Sequence, residues 1–175
     1  MLDTYNFIET YKRISIIGME KNVGKTTLLN KLIADIGTNK KLGLTSIGRD
    51  GEDIDVVTNT DKPRIYVRRG SIIATGRNCL TKCDITKEIL YVTDFTTPMG
   101  SIVIVRALSD GYVDIAGPSY NKQVKIVVEL MEKFGSEISI VDGALGRKST
   151  AISDVSEATI LSTGAALSLD MSLIH

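Results

Sequence analysis

The stretch "RISIIGMEKNVGKTTLLNKLIADIG", residues 13 to 37, constrains the fold more than any other part of this chain. "RISIIG" (13 to 18) is a β-branched apolar run ending on glycine and reads as a buried strand. "KTTLLNKLIADIG" then carries Leu28, Leu29, Leu32, Ile33 and Ile36 at helical spacing, with Gly37 as a stop signal. Between them lies "EKNVGKTT". Its Gly24, Lys25 and Thr26 satisfy the end of the phosphate-loop pattern of a glycine, four residues, then Gly-Lys-Ser/Thr. Counting back puts Met19 where the first glycine belongs, with Gly18 one step early. The strand–loop–helix context is what separates such a loop from a chance match.

The chemistry accounts for the residue types. Gly24 lets backbone N–H groups approach phosphate without a Cβ in the way. A helix starting near Lys25 offers unsatisfied donors and the positive end of its dipole. Lys25 supplies charge for the outer phosphates, and Thr26 a hydroxyl for magnesium. Asn22, Val23, Gly24, Lys25, Thr26 and Thr27 are therefore the candidate nucleotide-binding residues. "TKCD" (81 to 84) superficially matches a guanine signature but does not follow a buried strand, so ATP is favoured over GTP.

A phosphoryl-transfer site also needs an acid beyond the loop, usually at the end of a buried strand. "ISIVDGALGR" places Asp142 there, and Lys25 and Asp142 form the candidate catalytic pair, with Thr26 and Asp142 on magnesium. The loop "GRDGEDIDVV" crowds Asp50, Glu52, Asp53 and Asp55 after the second strand. Either a cation or cationic substrate relieves their repulsion, or the loop is an ordinary solvated acidic segment.

Along the chain, short apolar runs alternate with longer amphipathic stretches. Strands are expected at "LGLTSIG" (42 to 48), "SIVIVRA" (101 to 107), "YVDIAG" (112 to 117), "EISIVDG" (137 to 143) and "EATILST" (157 to 163). "RIYV" and "SIIAT" are expected to pair around "RRG", "CDITKEILYVT" to be helical, and "YNKQVKIVVELMEKFG" (120 to 135) to be a second long helix. "GAALSLDMSLIH" reads as the start of a helix. This alternation predicts an α/β, three-layer P-loop NTPase fold with a mostly parallel sheet. The strands at 101 to 117 lie too close for a helical crossover, so a local antiparallel hairpin is expected there. Ligands in such sheets sit at the carboxyl ends of the strands.

Composition narrows the partners. Lysine plus arginine and aspartate plus glutamate stand at 21 each, so no global basic field draws the chain to nucleic acid or a membrane surface. Tryptophan is absent, which disfavours an aromatic platform for bases. The opening "MLDTYNFIETYKR" has no apolar core of a signal peptide, so the expected location is cytoplasmic. Cys79 and Cys83 cannot close a zinc site with His175 as the sole histidine, and read as reduced thiols or a redox pair.

Two levels of resemblance follow from these residues. "IGRDGEDID" and "IVDGALG", with the phosphate loop, resemble the P-loop class containing dethiobiotin synthetase and the cobyrinate amidotransferases. That likeness implies that Asp142, with Asp50 or Asp53, assists magnesium. More closely, "SIIGMEKNVGKTT", "LGLTSIGRDGEDIDVVTNTDKPRIYV", "IVRALSDGYVDIAGPS" and "VDGALGRKS" together resemble the P-loop subunit of the lysine 5,6-aminomutase reactivase. The resemblance implies a Mg-ATP-hydrolysing ATPase that acts as a chaperone. It would revive a cobalamin-dependent lysine aminomutase together with a second reactivase subunit, and a homodimer is left open. At 175 residues the chain is expected to form a single nucleotide-binding domain over 1–175, and the resemblance implies family members that run further than "LDMSLIH". Direct cobalt ligation is not expected, since no histidine is placed for it. The alternative from another class is an ATP-dependent ligase or kinase of a small molecule, resembling dethiobiotin synthetase, with "RDGEDID" and "IAGPS" holding the substrate.

Overall fold

The computed structural model describes residues 8–18, 24–48, 64–144 and 155–163. The expected strand and helix around the glycine loop are β1 (Arg13–Gly18) and α1 (Lys25–Ile36). There follow β2 (Leu42–Ser46), β3 (Ile65–Val67), β4 (Ile72–Gly76), a 3₁₀ turn (Arg77–Thr81), β5 (Lys87–Thr97), β6 (Gly100–Ala107) and β7 (Gly111–Val113). Helix α2 (Asn121–Lys133), β8 (Ile138–Ala144) and β9 (Ala158–Ser162) complete the described elements.

Seven strands form one mixed sheet in the order β5-β6-β4-β2-β8-β1-β9, and β3 with β7 forms a small antiparallel sheet. Neighbours from β4 through β9 run parallel, while β6 is antiparallel to both β4 and β5. The architecture is α/β, as expected. Parallel strands covered on both faces should read as continuous apolar runs, and β2 is buried at all its positions. One face carries Ile14, Ile16, Leu44, Ile73 and Ile140 against Leu29, Leu32, Ile33 and Ile36 of α1. The small sheet packs on the same cluster through Ile65, Val67 and Val113. The other face sets Ile72, Ile102, Ile104 and Val141 against Val124, Val127, Val128 and Met131 of α2.

The hairpin lies elsewhere than expected. Residues 101–107 and 112–117 do not pair: β6 is flanked by β4 and β5, and β7 joins β3 in the other sheet. The partner of β6 is β5, drawn from the stretch expected to be helical. Ile89, Tyr91, Val92, Thr93, Phe95, Thr96 and Thr97 are β-branched or aromatic, and pairing with the apolar β6 overrides the amphipathic spacing. Gly100, at φ 88°, takes the left-handed conformation that the connecting turn requires. "RIYV" and "SIIAT" likewise separate into different sheets as β3 and β4. The helix expected in 164–175 lies outside the described residues. Among the described residues, no helix is long and apolar enough to cross a membrane.

Candidate functional site

The carboxyl ends of the parallel strands carry those residues singled out in the sequence that fall among the described ones at Gly24–Thr27 and Asp142. Gly18 closes β1 and remains in the ladder on both sides, opposite Ala144 and Ser162. The chain is described again at Gly24, whose φ of 76° is left-handed. A Cβ built there meets nothing within 4 Å, so the need for glycine is conformational rather than a matter of space. The Gly24 carbonyl accepts from the Leu28 N–H at 2.9 Å and opens α1. No side chain caps this helix end, and its first turn holds no acid. The first-turn N–H groups of a helix have no intrahelical acceptor, so this end suits an anion.

Lys25 is the first residue of α1 and turns back over the sheet. Its ammonium donates to the Gly143 carbonyl at 2.8 Å and lies 2.8 Å from Asp142 Oδ1. The contact with Asp142 is an ion pair but not a hydrogen bond, because Oδ1 is enclosed and has no hydrogen-bond partner. Both side chains are about one-quarter exposed, at 25% for Lys25 and 22% for Asp142. The sheet register holds Asp142 in place, opposite Ile16 on β1 and Ser46 on β2. Its carbonyl also accepts from the Ile47 N–H at 2.9 Å.

Two of the expected groups are thus brought together across the fold, Lys25 and Asp142. Thr26 follows in the same helical turn, half-buried, and Thr27 is exposed. Asn22, Val23, Asp50 and Asp53 lie outside the described residues. The residues present fit magnesium: a hydroxyl at Thr26 and an enclosed carboxylate oxygen without a hydrogen bond are the hard donors that cation takes. Among the described residues no three His, Cys, Asp or Glu side chains gather into a metal-binding group. A phosphate site does not need one, since magnesium there is commonly held by one or two protein oxygens, phosphate and water.

Sequence reasoning flagged "IAGPS" but missed what anchors it. Residues 114–119 arch over the ends of β2 and β4. Ser46 Oγ donates to the Ile115 carbonyl at 3.3 Å and accepts from the Gly117 N–H at 2.9 Å. Thr75 Oγ1 donates to the Asp114 carbonyl at 3.1 Å and accepts from the Ala116 N–H at 2.8 Å. Gly76 N–H donates to Ala116, and Gly48 N–H to Pro118, both at 2.9 Å. A Cβ on Gly117 would overlap the Ser46 carbonyl oxygen, so the close approach demands glycine. The available signal was a serine and a threonine near the ends of otherwise apolar strands.

A groove of about 480 Å³ lies at the opposite, amino-terminal edge, lined by residues including Tyr11, Lys40, Glu132 and Glu137. In that groove Lys40, Glu132 and Glu137 are already paired. Arg13 makes a two-pronged contact with Glu132, Nε to Oε1 at 2.7 Å and Nη2 to Oε2 at 2.8 Å. That hydrogen-bonded carboxylate holds the Arg13 guanidinium above its usual range. Glu137 accepts from the Lys41 N–H at 2.9 Å and pairs with Lys40 at 3.5 Å. The backbone N–H first, and Lys40 beside it, hold the Glu137 carboxyl below the ordinary range. At the other edge, Lys25 and Asp142 pair without a hydrogen bond to Asp142 Oδ1.

No protein-family model, curated protein or solved structure matches this chain.

Proposed function

We propose that the chain is a P-loop domain that binds Mg-ATP at the carboxyl edge of its sheet. The observation that carries this is the meeting of Lys25, from the helix after β1, with Asp142 on the adjacent strand. A left-handed glycine immediately precedes that uncapped helix. These parts come from residues far apart in sequence, and each has a task in phosphoryl transfer. The Lys25 ammonium would turn from Asp142 towards the β- and γ-phosphates. The first-turn N–H groups of α1 would hold the phosphate oxygens in place, and Thr26 with Asp142 would orient the cation. Magnesium, when bound with the nucleotide, would neutralise charge developing between the β- and γ-phosphates.

Resemblance extends the proposal: ATP hydrolysis would drive a conformational change that revives a cobalamin-dependent lysine aminomutase, in concert with a second reactivase subunit. Contacts to the γ-phosphate would order nearby loops and release them on hydrolysis. The test is phosphate release from Mg-ATP, with and without cobalamin-inactivated lysine 5,6-aminomutase and the second subunit. Release stimulated by the partner and abolished by Lys25→Ala is expected. Release indifferent to the partner would overturn the reactivase assignment. It would favour the second reading, a small-molecule ligase or kinase, for which the arch of residues 114–119 over β2 and β4 would wall a substrate.

A further inference from the structure

We infer that the Lys25–Asp142 pair is an internal latch that makes nucleotide and divalent cation bind together, an inference that rests on the nucleotide reading above. Each group holds the other in place of a ligand. The ammonium sits 2.8 Å from the enclosed Asp142 Oδ1, and the Gly143 carbonyl fixes it there. Both anchors belong to β8, which is clamped between β1 and β2 along its length. Asp142 cannot follow a departing lysine. Lys25 is free to move by comparison, being a compact charge on a flexible four-carbon stem.

Two consequences follow from removing the lysine. Phosphate binding draws the ammonium away and leaves a partly buried carboxylate, its Oδ1 enclosed, without its counter-charge, which is costly unless a cation takes the lysine's place. A cation arriving alone meets an oxygen already neutralised by Lys25. Nucleotide therefore raises the affinity for the cation, and by linkage the cation raises that for nucleotide by the same factor. The partly buried Arg13–Glu132 pair lacks this property. Arg13 and Glu132 satisfy each other through two hydrogen bonds and present no orphan oxygen. The latch thus rests on a pair at close Coulombic distance in which the lysine can leave and the aspartate stays.

The test is a double-mutant cycle on the full chain, read by calorimetric titration with ATP in EDTA. The four proteins are wild type, Lys25→Met, Asp142→Asn and the double variant. Without metal, Asp142→Asn should bind ATP on the order of tenfold more tightly than wild type. Removal of repulsion between Asp142 and phosphate could produce that gain alone, and the cycle separates the two causes. Under the latch, Lys25→Met loses more affinity in the Asp142→Asn background than in wild type, because only there is the ammonium disengaged beforehand. Equal losses in both backgrounds overturn the latch and leave the nucleotide site standing. Failure of wild type to bind ATP even with saturating magnesium overturns the site itself, a different result. If Asp142→Asn does not melt as wild type does, Asp142→Ser carries the same comparison.

Discussion

The two edges of the parallel sheet each hold a basic side chain against a carboxylate, and they differ in how well the pair is made. At the amino edge, Arg13 and Glu132 meet through two parallel hydrogen bonds of 2.7 and 2.8 Å. A planar fork on a carboxylate satisfies both partners, and such a pair ties elements together. At the carboxyl edge, Lys25 and Asp142 sit equally close, yet one enclosed oxygen lacks a hydrogen bond. Evenly matched burial makes the contrast informative: side-chain exposures are 23% and 28% in one pair, 25% and 22% in the other. Ion-pair distance does not separate a strut from a site. Hydrogen-bond completeness is what differs between the two pairs, and an enclosed oxygen without a hydrogen bond calls for an explanation, of which a functional role is one.

The sharpest way to break this comparison is to exchange the consequences. Lys25→Ala should lower affinity for Mg-ATP by about 1.5–3 kcal/mol, the usual worth of a hydrogen bond to a charged group, and should modestly lower the melting temperature of the nucleotide-free protein, because Asp142 loses its counter-charge. Titration calorimetry beside a thermal melt checks both halves. A large loss of stability with unchanged affinity would make the carboxyl-edge pair the strut. Next in size, Gly117→Ala should destabilise by about 1–3 kcal/mol, because the new methyl would overlap the Ser46 carbonyl and unseat the arch. Denaturant unfolding measures it, and a neutral result would show that the arch does not need its close contact.

Arg13→Met should cost about 1 kcal/mol of stability, given the partial exposure of its pair. Nucleotide binding should be unchanged, which the same two measurements test. The smallest effect concerns pH. Glu137 is held below the ordinary value of 4.5 when folded, chiefly by the Lys41 N–H. Its contribution is therefore fully present above that value and lost as pH falls through the lowered folded one. Melting temperatures from pH 7 to 3 should fall less steeply for Glu137→Gln than for wild type. Parallel curves would remove Glu137 from the account of the amino edge.

Legibility in the sequence followed how local each cause was. β1, Gly24 and α1 were readable because an apolar β-branched run, a glycine and a helical stripe announce themselves within a few residues. The end of α1 at Gly37 was marked as well, though not for the left-handed reason usual at helix ends. Gly37 has φ −65°, and the Ile33 carbonyl and Leu42 side chain close around the place a Cβ would take. Strand β5 was not readable. "KEILYVT" supports a helix by spacing, and its state depends on β6 and on a turn that brings the two together.

The site divides in the same way. By itself, the sequence determined the chemistry available: a glycine able to turn left-handed, a lysine at the start of a helix, an aspartate at the end of an apolar run. These are properties of a residue and its near neighbours, and short-range sterics and periodicity express them directly. Only the tertiary structure decided that β8 lies beside β1, bringing Asp142 to Lys25 across 117 positions of chain (142 minus 25). It alone seated the Asp114–Gly117 backbone on Ser46 and Thr75, and left Asp142 Oδ1 enclosed without a hydrogen bond. The physical reason is that strand order and non-local contacts are settled by burying both faces of the sheet at once, a condition no local stretch of sequence contains.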